Sequence, residues 1–187
     1  MNTTSKRQHP SVACCGIDCG LCPHYYTAGS SRCPGCGGPD FELKHPSCGI
    51  LTCCVKKKGL EVCGLCPEFP CSRLRGWHAA DSFVTHARSL ENLRAIKRDG
   101  LPAFLRQQAR RIRLLEVMLA EFDDGRSKSL FCTAAALLPL DALDSAVKEA
   151  RVADQDLDRK ERAQLLRKSV EAVAAAGGVV LRLRNKR

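Results

Sequence analysis

The sequence has no long hydrophobic run. No stretch approaches the roughly 18 consecutive apolar residues that a membrane-spanning helix needs, so no membrane association is expected. The first twelve residues, MNTTSKRQHPSV, are polar and lack the apolar core of a secretory signal. Without an export signal the protein is expected in the cytoplasm, where thiols stay reduced and stable disulfides are rare.

Aromatic residues are also scarce, at 5% of the chain, whereas the formal net charge is +10. The basic residues are spread along the sequence, with small clusters at residues 56–58 and at Arg110, Arg111 and Arg113. Such charge permits contact with nucleic acid or with an acidic or other protein partner. Few aromatic side chains are available to stack on bases, so nucleic-acid binding is an alternative that the composition does not favour. No paired carboxylates or serine–histidine–acid arrangement can be identified, and a role other than catalysis is favoured.

Cysteine is the outlier of the composition. The chain contains 13 cysteines, of which all but Cys132 lie between Cys14 and Cys71. Such density in a short segment indicates either a disulfide scaffold or a metal-binding region. In a reducing compartment, closely paired cysteines usually bind metal or perform redox chemistry. The sequence therefore predicts thiolate-bound metal in the first third of the chain.

Four motifs carry this prediction. They are CxxxCxxC at Cys15–Cys22, CPxCG beginning at Cys33, Cys48 followed by the doublet Cys53-Cys54, and CxxC at Cys63–Cys66 followed by Cys71. Two thiolates separated by two residues can bind one ion from a tight turn, which glycine makes accessible. The predicted metal ligands are Cys15, Cys19, Cys22, Cys33, Cys36, Cys48, Cys53, Cys63, Cys66 and Cys71.

Ten thiols are enough for two four-ligand sites. The pairs Cys33/Cys36 and Cys63/Cys66 suit one tetrahedral site, and the remaining six cysteines can supply a second, although other groupings stay open. Two zinc ions are favoured, because CPxCG and isolated CxxC pairs are typical of structural zinc turns. The alternative is a 4Fe–4S cluster in a redox or sulfur-handling protein, which three close cysteines and the Cys–Pro steps would suit. A radical S-adenosylmethionine enzyme is disfavoured, since the chain lacks alternating strands and helices.

The pattern of apolar residues divides the chain into three parts. Residues 1–12 are expected to be a flexible terminus. Residues 13–75 show no sustained period and cannot bury enough apolar surface alone, so a metal-stabilised irregular module of zinc-knuckle type is predicted. Residues 76–187 are predicted to be mostly α-helical, to end in a short strand at residues 179–184, and to pack on the module as one unit. The expected fold class is therefore α+β.

Helical periodicity places the individual elements of this second half. Phe83, Ala87, Leu90 and Leu93 recur at three- and four-residue steps and predict a first helix. A second helix follows Pro102, a third covers residues 130–138, and Asp141 is a candidate cap for a fourth, which ends at Ala150. The last helix is predicted from Asp156 to Ala176. The apolar stripe of the second helix is expected at Leu105, Gln108, Ile112, Leu115 and Leu119, with Gln108 as its single polar interruption.

The segments CGIDCGLCPHY (residues 15–25), CPGC, and KKGLEVCGLCPEFPC (residues 57–71) resemble the bacterial and archaeal domain-of-unknown-function family numbered 3795. The likeness continues into residues 125–140. It implies a cysteine-rich, metal-binding protein and carries over the cysteines of the four motifs as ligands. Either Cys53 or Cys54 could occupy the matching place of the doublet, and Cys14 is interpreted as an extra thiol.

Several other residues have an ordinary and a functional interpretation. His24 and His45 lie close enough to the motifs to replace a thiolate in a mixed zinc site, although sufficient cysteines are available. Cys132 is expected to be a buried, inert thiol. Asp18 is expected to cap a turn. Residues 125–129 precede a helix and could receive an anion, but a solvated loop is favoured because a full phosphate-loop signature is absent.

Overall fold

The computed structural model describes residues 7–153 and 157–184. The cysteine-rich half consists of loops joined by short turns. Its 3-10 turns are Cys19–Leu21, Pro23–Tyr26, Gly29–Ser31, Cys63–Leu65 and Ser72–Leu74. Between them lie the short helices α1 (Phe41–Lys44) and α2 (Gly49–Leu51) and a π-helical turn, Thr52–Lys57.

Five longer helices follow: α3 (Ser89–Asp99), α4 (Leu101–Phe122), α5 (Lys128–Leu137), α6 (Leu140–Val152) and α7 (Arg159–Ala176). Gly100, at φ +86°, separates α3 from α4, and Pro102 fits the first turn of α4, where its missing N–H is not required. Asp158 and Glu161 form a reciprocal capping box at the start of α7. Helix α4 packs against all four other long helices. Within the described residues, none of the helices combines the length and apolar content needed to cross a membrane.

Two hydrophobic cores hold the molecule together. The first combines loop residues such as Val12, Val62 and Leu74 with Leu93 and Ile96 of α3. The second lies between α4, α5, α6 and α7, and Leu21 from the cysteine-rich half inserts into it. Both cores therefore contain residues from both halves. Residues 1–6 of the predicted flexible terminus lie outside the described part, whereas Arg7 and Val12 are buried.

The predicted C-terminal strand and the α+β class are wrong, because none of the described residues forms a strand. Residues 179–184 follow α7 as an irregular segment and pack Val179 and Leu181 onto the second core. The Val179 N–H donates to the Ala174 carbonyl of α7, and the Asp81 N–H donates to the Arg184 carbonyl. The returning bond from the Arg184 N–H goes to the Asp81 carboxylate instead. Because only one of the two bonds between Asp81 and Arg184 joins backbone to backbone, a β-ladder cannot extend from them. The alternating residues therefore have no partner strand.

The first helix begins later than predicted. Phe83 and Ala87 lie in a loop before α3, and Phe83 is 66% exposed. In that loop the Asp81 carboxylate accepts the His86 N–H at 2.7 Å, and the imidazole of His86 stacks on Trp77. Such side-chain bonds compete with helical backbone bonds and delay the start of the helix to Ser89.

The buried stripe of α4 is rotated from the predicted one. Its buried members are Phe104, Gln108, Arg111, Leu115, Met118 and Phe122, whereas Leu105, Ile112 and Leu119 lie only partly buried at its edge. Two polar residues are therefore inside. The Arg111 guanidinium donates to the carbonyls of Ala135 and Leu138 at the end of α5, where a cation suits the helix dipole.

Candidate metal centre

Four thiols from four separate segments meet in the first core. They belong to Cys14, Cys36, Cys54 and Cys63, here called the quartet. The other three thiols are the neighbours of the Cys14 thiol, and all four side chains belong to the first core. Cys14, Cys36 and Cys54 are 1%, 8% and 3% exposed, and Cys63 is partly buried. The quartet is thus an interior cluster of sulfur atoms rather than a surface patch.

Backbone hydrogen bonds hold the quartet segments together. The Cys63 N–H donates to the Cys14 carbonyl at 2.8 Å, and the Cys36 N–H donates to the Pro10 carbonyl at 2.9 Å. The Leu60 N–H donates to the Cys54 carbonyl, also at 2.9 Å. The first two bonds join loops that are distant in sequence, and the third closes a local turn, so the positions of the sulfurs depend on the packing of the first core.

A buried cation lies beside the quartet. The Arg7 side chain is fully buried, donates to the carbonyls of Cys36 and Glu61 at 2.9 and 2.8 Å, and pairs with the Glu61 carboxylate at 3.3 Å. Its stem packs against Gly37, where a Cβ would lie 2.8 Å from Arg7 Cδ. Its Nε is buried without a hydrogen-bond partner. This arrangement places positive charge next to sulfur in an interior where charge is costly.

The quartet thiols differ in their acidity. Proximity to the Cys14 thiol, together with the charge of Arg7, lowers the pKa values of Cys36 and Cys54. The same sulfur–sulfur contacts and burial raise the pKa of Cys14. Cys36 and Cys54 are therefore the more acidic thiols of the cluster. Because thiolates are the metal-binding form of cysteine, acidic thiols favour a cation at the quartet.

A cleft of about 90 Å³ lies next to the quartet. Five cysteines line it: Cys53, Cys54, Cys63, Cys66 and Cys71. Cys53 and Cys54, which are adjacent in the sequence, both belong to the π-helical turn. Lys58 extends over the cleft, with its Nζ 3.5 Å from the Cys66 Sγ. Quartet and cleft therefore share a wall and together contain seven of the thirteen cysteines.

The outer side of the CPxCG turn carries a different contact. The Cys33 Sγ lies 3.3 Å from the His45 Nε2, and the imidazole stacks on Phe41 with ring centroids 4.3 Å apart. The Cys33 N–H donates to the His24 carbonyl at 2.9 Å. Burial, followed by the charge of His24, lowers the pKa of His45, which keeps the imidazole neutral at neutral pH. A neutral imidazole beside a thiol suits both a simple hydrogen bond and a mixed metal site.

Comparison with protein families identifies the segment that holds these groups. Residues 11–76 match the family model described as "Protein of unknown function (DUF3795)". The resemblance inferred from the motifs is thus confirmed over this span, which stops before the predicted likeness at residues 125–140. No curated protein and no solved structure matches the chain. The DUF3795 segment contains the whole quartet and the whole cleft, and the family brings no known activity with it.

Within the DUF3795 segment the structure splits the predicted cysteine pairs. Cys36 and Cys63 enter the quartet, whereas Cys33 faces His45 and Cys66 lines the cleft. The other two members of the quartet are Cys14, interpreted from the sequence as an extra thiol, and Cys54, which was left undecided. Nothing in the spacing distinguishes Cys14 from Cys15, because two adjacent cysteines fit the same motif.

The remaining predicted ligands lie around the quartet. Burial raises the pKa of Cys15 to about 12, and it also raises the pKa values of Cys19 and Cys22. Cys15 and Cys19 are electrostatic neighbours of Cys36, and Cys48 is a neighbour of Cys15. Across the described chain, no three or more cysteine, histidine or acidic side chains already stand in an arrangement that holds an ion. Metal binding would therefore need the sulfur atoms to move closer together.

Two further residues singled out in the sequence, Cys132 and Asp18, have structural roles. Cys132 is buried in α5, and burial raises its pKa to about 12, as expected of an inert thiol. Asp18 makes no side-chain cap to the turn that follows it, contrary to prediction, and instead accepts hydrogen bonds from Asn92 and Gln108.

The segment predicted as a solvated loop is solvated only in part, because Gly125 and Arg126 are exposed whereas Ser127 is buried and α5 begins at Lys128. The Asp123 carboxylate accepts the N–H groups of Gly125 and Ser127, both at 3.1 Å, and the Asp124 carboxylate accepts that of Arg126. These acidic side chains occupy the backbone donors that an anion would need.

Proposed function

We propose that this protein binds metal through cysteine thiolates, and that the quartet of Cys14, Cys36, Cys54 and Cys63 holds a structural zinc ion. The observation that carries the proposal is the convergence of four thiols from four separate loops in the interior. Zinc in structural sites takes four ligands in tetrahedral geometry, and four thiolates are one of its usual sets. All thirteen cysteines lie in the described part of the chain and are free of disulfides, so each quartet sulfur is available.

The charge around the quartet supports this assignment. A zinc ion with four thiolates carries a net negative charge, which is costly to bury without compensation. The Arg7 guanidinium supplies a fully buried positive charge at that place, which the paired Glu61 carboxylate offsets in part. The Arg7 Nε–H has no hydrogen-bond partner and could donate to a metal-bound sulfur.

The expected role of this zinc is mechanical. The DUF3795 segment contains short turns instead of long helices, and its loops cross between distant parts of the sequence. One ion bound to the quartet would link the segments around Cys14, Cys36, Cys54 and Cys63. Metal ligation of this kind contributes about 10 kcal/mol or more to the folding of small zinc domains. The metal would thereby hold the cysteine-rich half in the shape that α3 and α4 pack against.

The test is the metal content of the protein purified without added metal under anaerobic conditions. Zinc is expected, and the variant Cys14→Ser should lose one zinc per chain, whereas the matched control Cys132→Ser should keep the wild-type content. Iron with acid-labile sulfide near stoichiometric amounts would replace zinc by an iron–sulfur cluster and overturn the assignment. Since Cys14→Ser could unfold, cobalt substitution of the wild type provides a second readout. Absorption typical of four-thiolate cobalt supports the quartet, and its absence contradicts it.

A further inference from the structure

Three cysteines of the cleft are not members of the quartet: Cys53, Cys66 and Cys71. All three are partly exposed, in contrast to the buried Cys14, Cys36 and Cys54. They line the same cleft of about 90 Å³ together with the apolar side chains of Ile50, Phe69 and Leu74. The cleft is thus a small concave site in which three thiols remain after the quartet is assigned.

The cleft thiols are held by the same short elements as the quartet. Cys53 precedes the quartet residue Cys54 within the π-helical turn. Cys66 ends the turn that begins at the quartet residue Cys63, and its N–H donates to the Cys63 carbonyl at 3.0 Å. Cys71 precedes the turn Ser72–Leu74, and its carbonyl accepts the Leu74 N–H at 3.1 Å. Two of the three cleft thiols are therefore positioned by residues that also supply a quartet sulfur.

The charge of the cleft is complementary to anionic ligands. The Lys58 Nζ lies 3.5 Å from the Cys66 Sγ and forms an ion pair with Glu68, the acidic residue of the lining, so that the cleft has two basic residues and one acidic residue. Arg73 contributes a second basic side chain to the lining. Positive charge beside sulfur stabilises thiolates and attracts anions that approach from solvent.

We propose that Cys53, Cys66 and Cys71 form a second metal site, in which three thiolates bind a thiophilic divalent ion and the fourth position stays open to solvent. The site rests on the proposed function, because zinc in the quartet would fix Cys54 and Cys63 and, through them, the adjacent cleft thiols. The three sulfurs do not already stand in an ion-holding arrangement. Binding would thus draw the short turns together around the ion.

Three protein ligands with one open position distinguish this site chemically from the quartet. Sites of this composition exchange their fourth ligand, whereas four-thiolate sites are closed. Thiolate ligands select soft or borderline ions such as zinc. The fourth ligand is expected to be a small soft anion, in particular a low-molecular-weight thiolate, since Lys58 and Arg73 favour negative charge at the cleft. The ion in the cleft would be accessible to solvent and exchangeable, whereas the ion in the quartet would not.

The test measures zinc release from the intact protein to an excess of the coloured chelator 4-(2-pyridylazo)resorcinol. Wild-type protein should release one fraction of its zinc rapidly and retain another. The variants Cys53→Ser, Cys66→Ser and Cys71→Ser should each lose the rapid fraction and keep the slow one, whereas Cys132→Ser should release both as the wild type does. Persistence of the rapid fraction in all three cleft variants would overturn the proposal.

Cobalt substitution separates the open site from a closed one. Addition of 2-mercaptoethanol should shift the visible absorption of wild-type cobalt protein and leave that of Cys66→Ser unchanged. An insensitive wild-type spectrum shows that the fourth position is closed, which contradicts the proposal. Wild-type protein that contains only slowly released zinc would refute the cleft site and leave the quartet intact. Protein without zinc would refute both the cleft site and the quartet site. If the wild type contains iron and labile sulfide and Cys66→Ser loses both, the cleft holds an iron–sulfur cluster and the open zinc site is refuted.

Discussion

The amide of Gln108 donates a hydrogen bond to the Asp18 carboxylate, with Nε2 and Oδ1 3.1 Å apart. Asn92 donates to the other oxygen, Oδ2, at 2.8 Å. Gln108 Nε2 also donates to the Ser11 carbonyl at 2.9 Å. The side chains of Asp18, Asn92 and Gln108 are all buried. A carboxylate from the first cysteine motif is therefore anchored by one amide from α3 and one from α4, so the position of this motif depends on both helices.

Replacement of Gln108 by alanine should destabilise the protein by about 1–3 kcal/mol, the usual cost of leaving a buried polar partner unsatisfied. The adjacent Gln107 is exposed and provides the control, because Gln107→Ala should change the stability by no more than about 0.5 kcal/mol. Urea unfolding of the metal-loaded variants, followed by circular dichroism, measures both. Equal losses in the two variants would show that the Asp18 network contributes nothing specific.

Asp18 should make stability fall as pH rises. Burial, which outweighs the hydrogen bonds from Asn92 and Gln108, raises the pKa of Asp18 from its ordinary 3.8. The folded state then holds the proton more tightly than the unfolded chain. Its contribution is therefore complete below 3.8 and is lost as pH increases through the raised pKa. Loss of metal in acid acts in the opposite direction, so the comparison with Asp18→Asn is essential.

The free energy of unfolding of the wild type minus that of Asp18→Asn should decrease between acidic and neutral pH. Metal loss affects both proteins and cancels in this difference. Denaturant titrations of both proteins at several pH values measure this difference in the free energy of unfolding. A difference that stays constant or grows with pH would contradict the raised pKa.

Gly16 and Gly125 form a matched pair for backbone strain, since both have φ +87°. A Cβ on Gly16 would lie 2.1 Å from the Ser89 carbonyl oxygen, whereas one on Gly125 would meet nothing within 4 Å. Gly125→Ala should cost about 1–2 kcal/mol for the left-handed conformation alone. Gly16→Ala should cost about 1–3 kcal/mol more, because the clash separates the first motif from α3. Thermal unfolding of the two variants tests this order, and equal melting temperatures would disprove it.

Arg184 should anchor the C-terminal segment. Burial alone would raise the pKa of Asp81, but hydrogen bonds from Arg184 lower it to about 2. Because the Arg184 side chain is 42% exposed, its removal in Arg184→Ala should cost only about 1 kcal/mol. This contribution is complete above the ordinary pKa of 3.8 and disappears as pH falls towards 2.

Hydrogen exchange provides the measurement for Arg184. Backbone amides of residues 179–184 should exchange faster in Arg184→Ala than in the wild type at neutral pH. Arg182 is exposed on the same segment, and Arg182→Ala should leave the exchange rates unchanged. Similar acceleration in both variants would assign the effect to general loss of charge instead of the pair with Asp81.

The helices of the second half were largely predictable because their signals are local. The spacing of Leu166 and Val170 predicted α7, and both side chains are buried. The buried face of α4 was harder to predict, because its stripe includes the polar residues Gln108 and Arg111, which a pattern of apolar residues does not mark. Gln108 was therefore interpreted as an interruption, although it is the residue that binds Asp18. The alternation of apolar and basic residues at positions 179–184 predicted a strand wrongly, because a strand forms only when another strand pairs with it.

The sequence by itself indicated that the cysteines of the first third belong together chemically, because their density and CxxC spacing are properties of the chain. Only the tertiary structure decided which thiols meet. The two sulfurs of a CxxC turn can face different neighbours, and here Cys63 and Cys66 both line the cleft but only Cys63 also enters the quartet. Cys14 became the centre of the quartet because the loops around it pack together through long-range hydrogen bonds and a shared core, and neither is encoded in local spacing.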